Sequence, residues 1–404
     1  MADLLFLTQR IPYPPIKGEK IRPLQILHHL RKTYDVHLGC LVDDPHDVQY
    51  IETVGNFCAS SHFAQIDRNR AKLTCLTGLL TGEPLSAVFY RDRGLANWVR
   101  HVLDNVRPDI IFVCSSNMAP YILDLKGRTP CLVDLADVDS EKWRAYAATA
   151  GFPMNFVYRR EWRRVAELEA RIARECDWSV FVSEEEAGLF RDMQPQFQDK
   201  IRAVSNGVDL DYFDPIHHFD APYDACRRNF VFTGTMDYPP NVDAVVWFAE
   251  NILPIIRATM RDAQFHIVGA APSPQVKALE SIAGVFVTGR VADVRPYVAH
   301  ATACVAPMRI ARGIQNKVLE AMAMGRPTVV TSDALAGIGA VPGQELLLAD
   351  TEADFAQACL ACAEPDAAAI GRGARQRVLA DYAWPEQLKR FDGFLNERKN
   401  APVL

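Results

Sequence analysis

Between Pro307 and Ser332 the chain reads PMRIARGIQNKVLEAMAMGRPTVVTS, the richest run of residues suited to an anionic ligand. The pattern is loop, helix, glycine turn and strand. Gly313, Ile314, Gln315 and Asn316 lead into the helix, and the amides of a first helical turn lack intrahelical partners and suit a diphosphate. Arg309, Arg312 and Lys317 add positive charge at the same edge. Glu320 follows Lys317 by one helical step of three residues, and a carboxylate there can accept two hydrogen bonds from a ribose diol. The same spacing fits an i,i+3 ion pair on a helix surface. Residue types alone leave both readings open.

A second concentration lies in DLADVDSEKW, which brings Asp134, Asp137, Asp139 and Glu141 just past an apolar run. Asp137 is the candidate for orienting or deprotonating an acceptor hydroxyl. Its alternative is helix capping, a task that Asp139 or Ser140 suits better because the helix pattern begins just after them. Asp137-Val138-Asp139 also has the form of a D-x-D metal motif.

The elements that must position these groups alternate along the whole chain. Short apolar runs are followed by amphipathic stretches, the pattern of parallel sheets covered by helices. In the first half, strands are predicted near Leu4–Thr8, Val36–Val42, His62–Ile66, Asp109–Cys114, Cys131–Leu135, Ser179–Val182 and Ile201–Val204, with helices such as Ile21–Arg31 and Phe156–Cys176. A second series starts at Asn229 with NFVFTG, AQFHIVG, VFVTG, ACVAP and PTVVTS. Ligands of such sheets sit at the carboxyl ends of the strands, so two facing edges would make a cleft. The expected division is an N-terminal domain over 1–208, a linker over 209–228, a C-terminal domain over 229–382, and a helix over 383–404 that returns to the first domain.

Composition narrows the class. The 404 residues suit two α/β domains, and 49% hydrophobic with 23% charged residues is an ordinary globular balance. A formal charge of −6 argues against a general nucleic-acid binder. The start MADLLFLTQR reads as a buried strand rather than a leader, and no apolar stretch is long enough to span a bilayer. The scattered cysteines fit a reduced, cytoplasmic protein, and Cys359-x-x-Cys362 falls in a helical run that reads as core. Basic runs at Arg68, Arg70, Lys72 and at Arg159, Arg160, Arg163, Arg164 read as solvated helix faces, or alternatively as a peripheral contact with the inner membrane.

GIQNKVLEAMAMGRPTVVTS resembles the donor-binding signature of family-4 retaining glycosyltransferases, which have the two-domain GT-B fold. KIRAVSNGVDLDYFDP, FVFTGTMDYPPNVDAVVWF, FHIVGAAP and VFVTGRVADVRPYVAHATACVAP are similar to further elements of that family, in its order. QRIPYPPIKGEKIRP and CLVDLADVDSEKW resemble a subgroup of sugar transferases found near exosortase and exopolysaccharide genes. The resemblance implies two Rossmann-like domains and a nucleotide-sugar donor, UDP or GDP undecided. It implies a saccharide or lipid-linked saccharide acceptor, with no further cofactor and no metal. Residue by residue, it implies that Glu320 binds the ribose and that Gly289, Arg290 and Val291 contact the base. Gly18 then approaches the donor phosphates, with Lys17 standing where many members have a second glycine and Lys20 nearby. Where the family has a first glutamate this chain has Arg312, which is left to face either the sugar or the phosphates. The family's Arg and Lys after the first strand of the second domain are also absent, since TGTMDYPPN offers Thr235, Asp237 and Asn241. The phosphate charge is therefore expected on Arg309, Arg312 and Lys317. A nucleotide-sugar epimerase of the same fold and a nucleotide-sugar-binding protein without turnover are the competing readings. A nicotinamide dehydrogenase is not one, because LLFLTQRIPYPPIKG holds no G-x-G-x-x-G.

Overall fold

The apolar runs form parallel strands buried on both faces, which is why they read as continuous rather than alternating hydrophobic segments. The computed structural model describes residues 1–15, 18–125, 127, 129–224, 226–311 and 313–399. Met1–Val204 and the chain from Leu388 on form one compact unit, and Ser205–Gln387 forms the other.

In the first unit, β1 (Ala2–Thr8), β2 (Tyr34–Val42), β3 (Ser60–Gln65), β4 (Ile110–Cys114), β5 (Cys131–Ala136), β6 (Trp178–Phe181) and β7 (Ile201–Ala203) line up as β3-β2-β1-β4-β5-β6-β7. Leu4 pairs with Val36 on one side and Ile110 on the other, both in parallel register. Strand order reverses between β1 and β4, the place where open α/β sheets bind ligands at their carboxyl ends. Leu5, Leu7, Ile111 and Val113 enter one core layer. The alternate residues Phe6 and Phe112 stack at 5.4 Å, and Phe391 of the helix Trp384–Lys399 meets Phe112 at 5.3 Å. The last helix thus belongs, from Leu388 on, to the core of the first unit.

The second unit repeats the plan with β8 (Arg228–Thr233), β9 (Ala263–Val268), β10 (Val285–Gly289), β11 (Ala303–Ala306), β12 (Thr328–Val330) and β13 (Leu347–Leu348), ordered β10-β9-β8-β11-β12-β13. The sequence reading contains no counterpart of β13, which has two residues and no apolar run of its own. Residues 209–228, expected as a linker, cluster with this unit. Phe213 enters its core, and the Tyr223 hydroxyl donates to the Tyr297 carbonyl at 2.6 Å. Aromatic side chains hold down a segment whose Asp and Pro content marked it as a linker.

Candidate active site

At the reversal point of the second sheet, the loop after β8 crosses the loop after β9. A Cβ on Gly269 would lie 1.7 Å from the Gly234 carbonyl oxygen, and one on Gly234 would lie 2.7 Å from Asn241 Nδ2. Both glycines have positive φ, 152° and 157°. Only glycine permits this approach. The crossing fixes Asn241 at the start of the helix Pro239–Trp247, where its Nδ2 donates to the Thr235 carbonyl at 2.9 Å.

Asn241 Oδ1 in turn accepts a 2.7 Å hydrogen bond from Lys317 Nζ, which lies 4.1 Å from the centre of the Phe232 ring. Lys317 belongs to the helix Asn316–Ala323. Desolvation beside this ring pushes its ammonium down to about 7, partly opposed by Glu320. Burial likewise pushes the Glu320 carboxyl up to about 7, opposed by Lys317. Yet the two form no ion pair among the described residues, because Lys317 is turned toward Asn241. The Glu320 carboxylate is half-buried and has no hydrogen-bond partner among the described residues. The helix-surface ion pair allowed by the spacing is therefore not what the fold builds.

The remaining expected donor residues fall unevenly. Gly313 has φ 62° in the loop before the helix, Ile314 is buried, Gln315 Nε2 donates to the Gly313 carbonyl at 3.4 Å, and Asn316 Oδ1 accepts from Asn206 at 3.2 Å. The helix begins at Asn316, and Gln315 at its N-cap makes no side-chain cap. Arg309 is exposed and held in a two-point pair with Asp243, at 3.0 and 2.5 Å, over the Trp247 ring. Its guanidinium is therefore shared with Asp243 in this structure. Gly289 (φ 66°) ends β10 at a register shift with open space around its Cα, followed by exposed Arg290 and half-buried Val291. Gly18 starts the helix Gly18–Leu30 and is exposed, while Lys17 and Arg312 lie outside the described residues. Lys20 does not reach outward: it is buried, and its Nζ donates to Asp47 at 2.6 Å.

In the first unit, β5 ends in a bulge between Asp134 and Ala136, and Ala136 takes φ 66°. A non-glycine residue in that region costs about 1 kcal/mol or more, and such strain gathers where a side chain must be re-aimed. Below it, Asp134 takes both forks of Arg22 at 2.7 and 2.8 Å, and Arg22 also donates to the Val204 carbonyl at 2.9 Å. This pair anchors the strand end to the first helix. Above it, Asp137 Oδ1 is buried with no partner. Desolvation, with Glu186 and Asp139 nearby, pushes Asp137 up to about 7.

Asp137 caps nothing, and neither Asp139 nor Ser140 supplies the expected cap. The helix Asp139–Thr149 starts after Val138 with no side-chain cap of its own. Its first amides are met from elsewhere: Glu186 accepts from the Val138 amide at 2.8 Å, and Glu169 accepts from the Ser140 amide at 3.1 Å. Burial pushes Glu169 up to about 8, and its second oxygen has no partner. Glu169 and Glu186 escaped the sequence reading, but a signal existed. In the helix Met154–Glu175, Glu161 and Glu169 share the buried stripe of Val165, Leu168 and Ile172. Carboxylates on an apolar stripe have to be serving buried donors. Among the described residues no group of three or more His, Cys, Asp or Glu is placed to hold a metal ion. Cys359, on the helix Glu352–Ala361, and Cys362, at its C-cap, are buried free thiols.

Residues 227–364 match the family model described as glycosyl transferases group 1. A comparison with curated protein sequences gives no match. Among solved structures, sucrose-phosphate synthase from Thermosynechococcus elongatus aligns at TM-score 0.71 and 15% identity, over 98% of this chain and 99% of that one. Anabaena HepE in complex with UDP and glucose aligns at TM-score 0.67 and 14% identity, over 98% and 100%. A UDP-forming α,α-trehalose-phosphate synthase from Burkholderia xenovorans aligns at TM-score 0.67 and 12% identity, over 99% and 100%. The fold is GT-B, with two α/β units of parallel strands.

Proposed function

We propose that this chain, a glycosyltransferase of GT-B fold, moves a sugar from a UDP-sugar to an acceptor hydroxyl with retention of anomeric configuration, in exopolysaccharide or glycolipid synthesis. The observation that carries the reading is Glu320: a half-buried carboxylate without a partner, one helical step from a cation, inside the segment that matches the transferase domain. The choice of UDP is supported by the complexes of HepE with UDP and UDP-glucose.

In this reading Glu320 accepts from the ribose hydroxyls, and Gly289 to Val291 offer backbone to the base. Lys317, held by Asn241 beside Gly234, meets the diphosphate and recovers its full charge there. The bond from the anomeric carbon to the diphosphate oxygen breaks, and the acceptor oxygen bonds that carbon on the same face. Asp137 receives the acceptor proton, and its elevated position near neutrality suits a general base. Catalysis rests on positioning and on charge stabilisation of the leaving diphosphate. Incubation with UDP-sugars and a hydroxyl acceptor should release UDP and give a product whose anomeric proton coupling matches that of the donor. An inverted product, or free epimerised nucleotide sugar, would refute it.

Transfer is expected to continue in EDTA, because Lys317 and backbone amides serve the leaving group in this reading and the Asp137–Asp139 pair has no third ligand among the described residues. Activity abolished by chelation and restored by manganese would instead make those aspartates ligands.

The acceptor is proposed to be lipid-linked and presented at a membrane surface. No helix among the described residues is long and apolar enough to cross a membrane, so contact would be peripheral. Phe152 and Phe156 are 83% and 62% exposed and pack edge to face, near the basic Arg159 and Arg163. Arg68, Arg70 and Lys72 lie on or beside the exposed first turns of the helix Arg68–Thr81. Arg91, in the same half of the chain, is paired with Glu83. Each exposed basic residue near an anionic surface contributes about 1 kcal/mol, screened by salt. Flotation with anionic but not neutral vesicles is expected, lost in Arg68→Glu/Arg70→Glu/Lys72→Glu. Absence of recruitment at low salt would favour a soluble acceptor.

A further inference from the structure

The second unit has a cavity of about 780 Å³ at the edge of its sheet opposite Gly234 and Lys317. Arg228 opens β8, Thr302 immediately precedes β11 and Pro327 immediately precedes β12, so the cavity lies at the amino ends of the strands. Its other wall is the helix Ala367–Asp381. A close glycine contact sets that wall: a Cβ on Gly371 would fall 2.1 Å from the Gly325 carbonyl oxygen. Any larger residue would collide with that backbone, so glycine is what lets this helix, with Arg372 and Arg375, settle there.

Four guanidinium side chains line this one cavity, with Glu364 as the carboxylate in its wall. Arg375 is used internally, donating to Asp214 at 3.0 Å and to the Ala323 carbonyl at 2.5 Å. Arg228, Arg326 and Arg372 have no side-chain hydrogen bond or ion pair among the described residues. Arg326 Nε is moreover shut off from solvent without an acceptor. Leaving a charged donor buried and unmade is costly, and the exposed Arg228 and Arg372 add two more guanidiniums without an acidic partner to the same wall.

We propose that this cavity binds a phosphorylated small organic molecule. Guanidinium forks match phosphate oxygens two at a time, which an ammonium does not. The volume falls in the range of small-molecule sites, roughly 300–1,000 Å³, and is far larger than an inorganic ion needs. Met324, Pro327 and Leu379 supply apolar wall for the organic part. The site is separate from the donor edge, which lies at the other ends of the same strands, and stands whether or not the transfer reading does.

Titration calorimetry on the full chain, with glucose 6-phosphate as the probe and glucose as the control, tests it. Glucose 6-phosphate should bind and glucose should not. Binding should persist with UDP in excess and in Glu320→Ala, and should weaken roughly tenfold or more in Arg326→Gln and in Arg372→Gln. Arg372 is exposed, so that variant tests the site without threatening the fold. Lack of binding by glucose 6-phosphate, glycerol 3-phosphate and pyrophosphate alike would overturn the proposal. So would binding that UDP displaces and Arg372→Gln leaves intact. Recruitment to phosphatidic acid vesicles without any soluble binding would overturn it in favour of a lipid headgroup.

Discussion

Replacing Glu320 with alanine is expected to weaken UDP binding and sugar transfer together by about 1.5–3 kcal/mol, the range for a hydrogen bond to a charged group, or roughly 10- to 150-fold. The loss should appear with uridine as well as UDP, since the carboxylate is assigned to the ribose. It should leave the fold intact, because Glu320 holds no other described residue in place. Its pH dependence gives a second reading. Glu320 accepts hydrogen bonds best when ionised, above about 7, whereas Lys317 is charged below about 7. Affinity for UDP should therefore peak near neutrality. Glu320→Gln should remove the acidic limb and leave only the decline at higher pH. Unchanged UDP affinity in a folded Glu320→Ala protein would end the ribose assignment.

Asp137→Asn is expected to lower kcat by roughly 10²- to 10⁴-fold, the usual worth of a general base, while making the protein more stable at alkaline pH. The sign follows from proton linkage. The folded chain holds the Asp137 proton up to about 7, against an ordinary value of 3.8. Between those limits the native state binds more protons than the unfolded chain, so stability falls as pH rises, and the whole cost is present above about 7. Asparagine carries no such cost. Wild type and variant should therefore have similar Tm below pH ~4 and diverge upward to pH ~8, with the inactive variant the more stable. Such a gain in stability at the expense of activity is typical of a strained catalytic position. Wild-type kcat in the variant would exclude a base role, and equal Tm at alkaline pH would exclude the desolvated carboxylate.

How much of this was legible depended on how local each cause is. Strands such as β1, β4 and β8 could be read directly, because the middle of a strand covered on both faces is a continuous apolar run. Gly234 marked the end of β8. β13 could not be read, since two residues carry no period. The candidate donor site was read from GIQNKVLEAMAMGRP, where glycine, cation and carboxylate fall within one loop and one helix. Asp137 was legible as a carboxylate at a strand end, but not its isolation: Glu186 and Glu169 take the amides of Val138 and Ser140 that follow it.

Sequence alone therefore determined the two-sheet α/β plan, the loops that carry polar groups, and the presence of Lys317 and Glu320 on one helix. Only the tertiary structure decided what those groups do. Spacing permitted Lys317 to pair with Glu320, but the crossing of the Gly234 and Gly269 loops set Asn241 within 2.7 Å of Lys317 and freed the carboxylate. Arg309 was readable as a candidate cation, but its pairing with Asp243 of the helix Pro239–Trp247 was not. Residues 228, 326 and 372 share no motif at all, and become one cavity because Gly371 lets a helix settle on Gly325. Each of these outcomes turns on partners dozens of residues away, and local residue spacing carries no information about a side chain that arrives from another element.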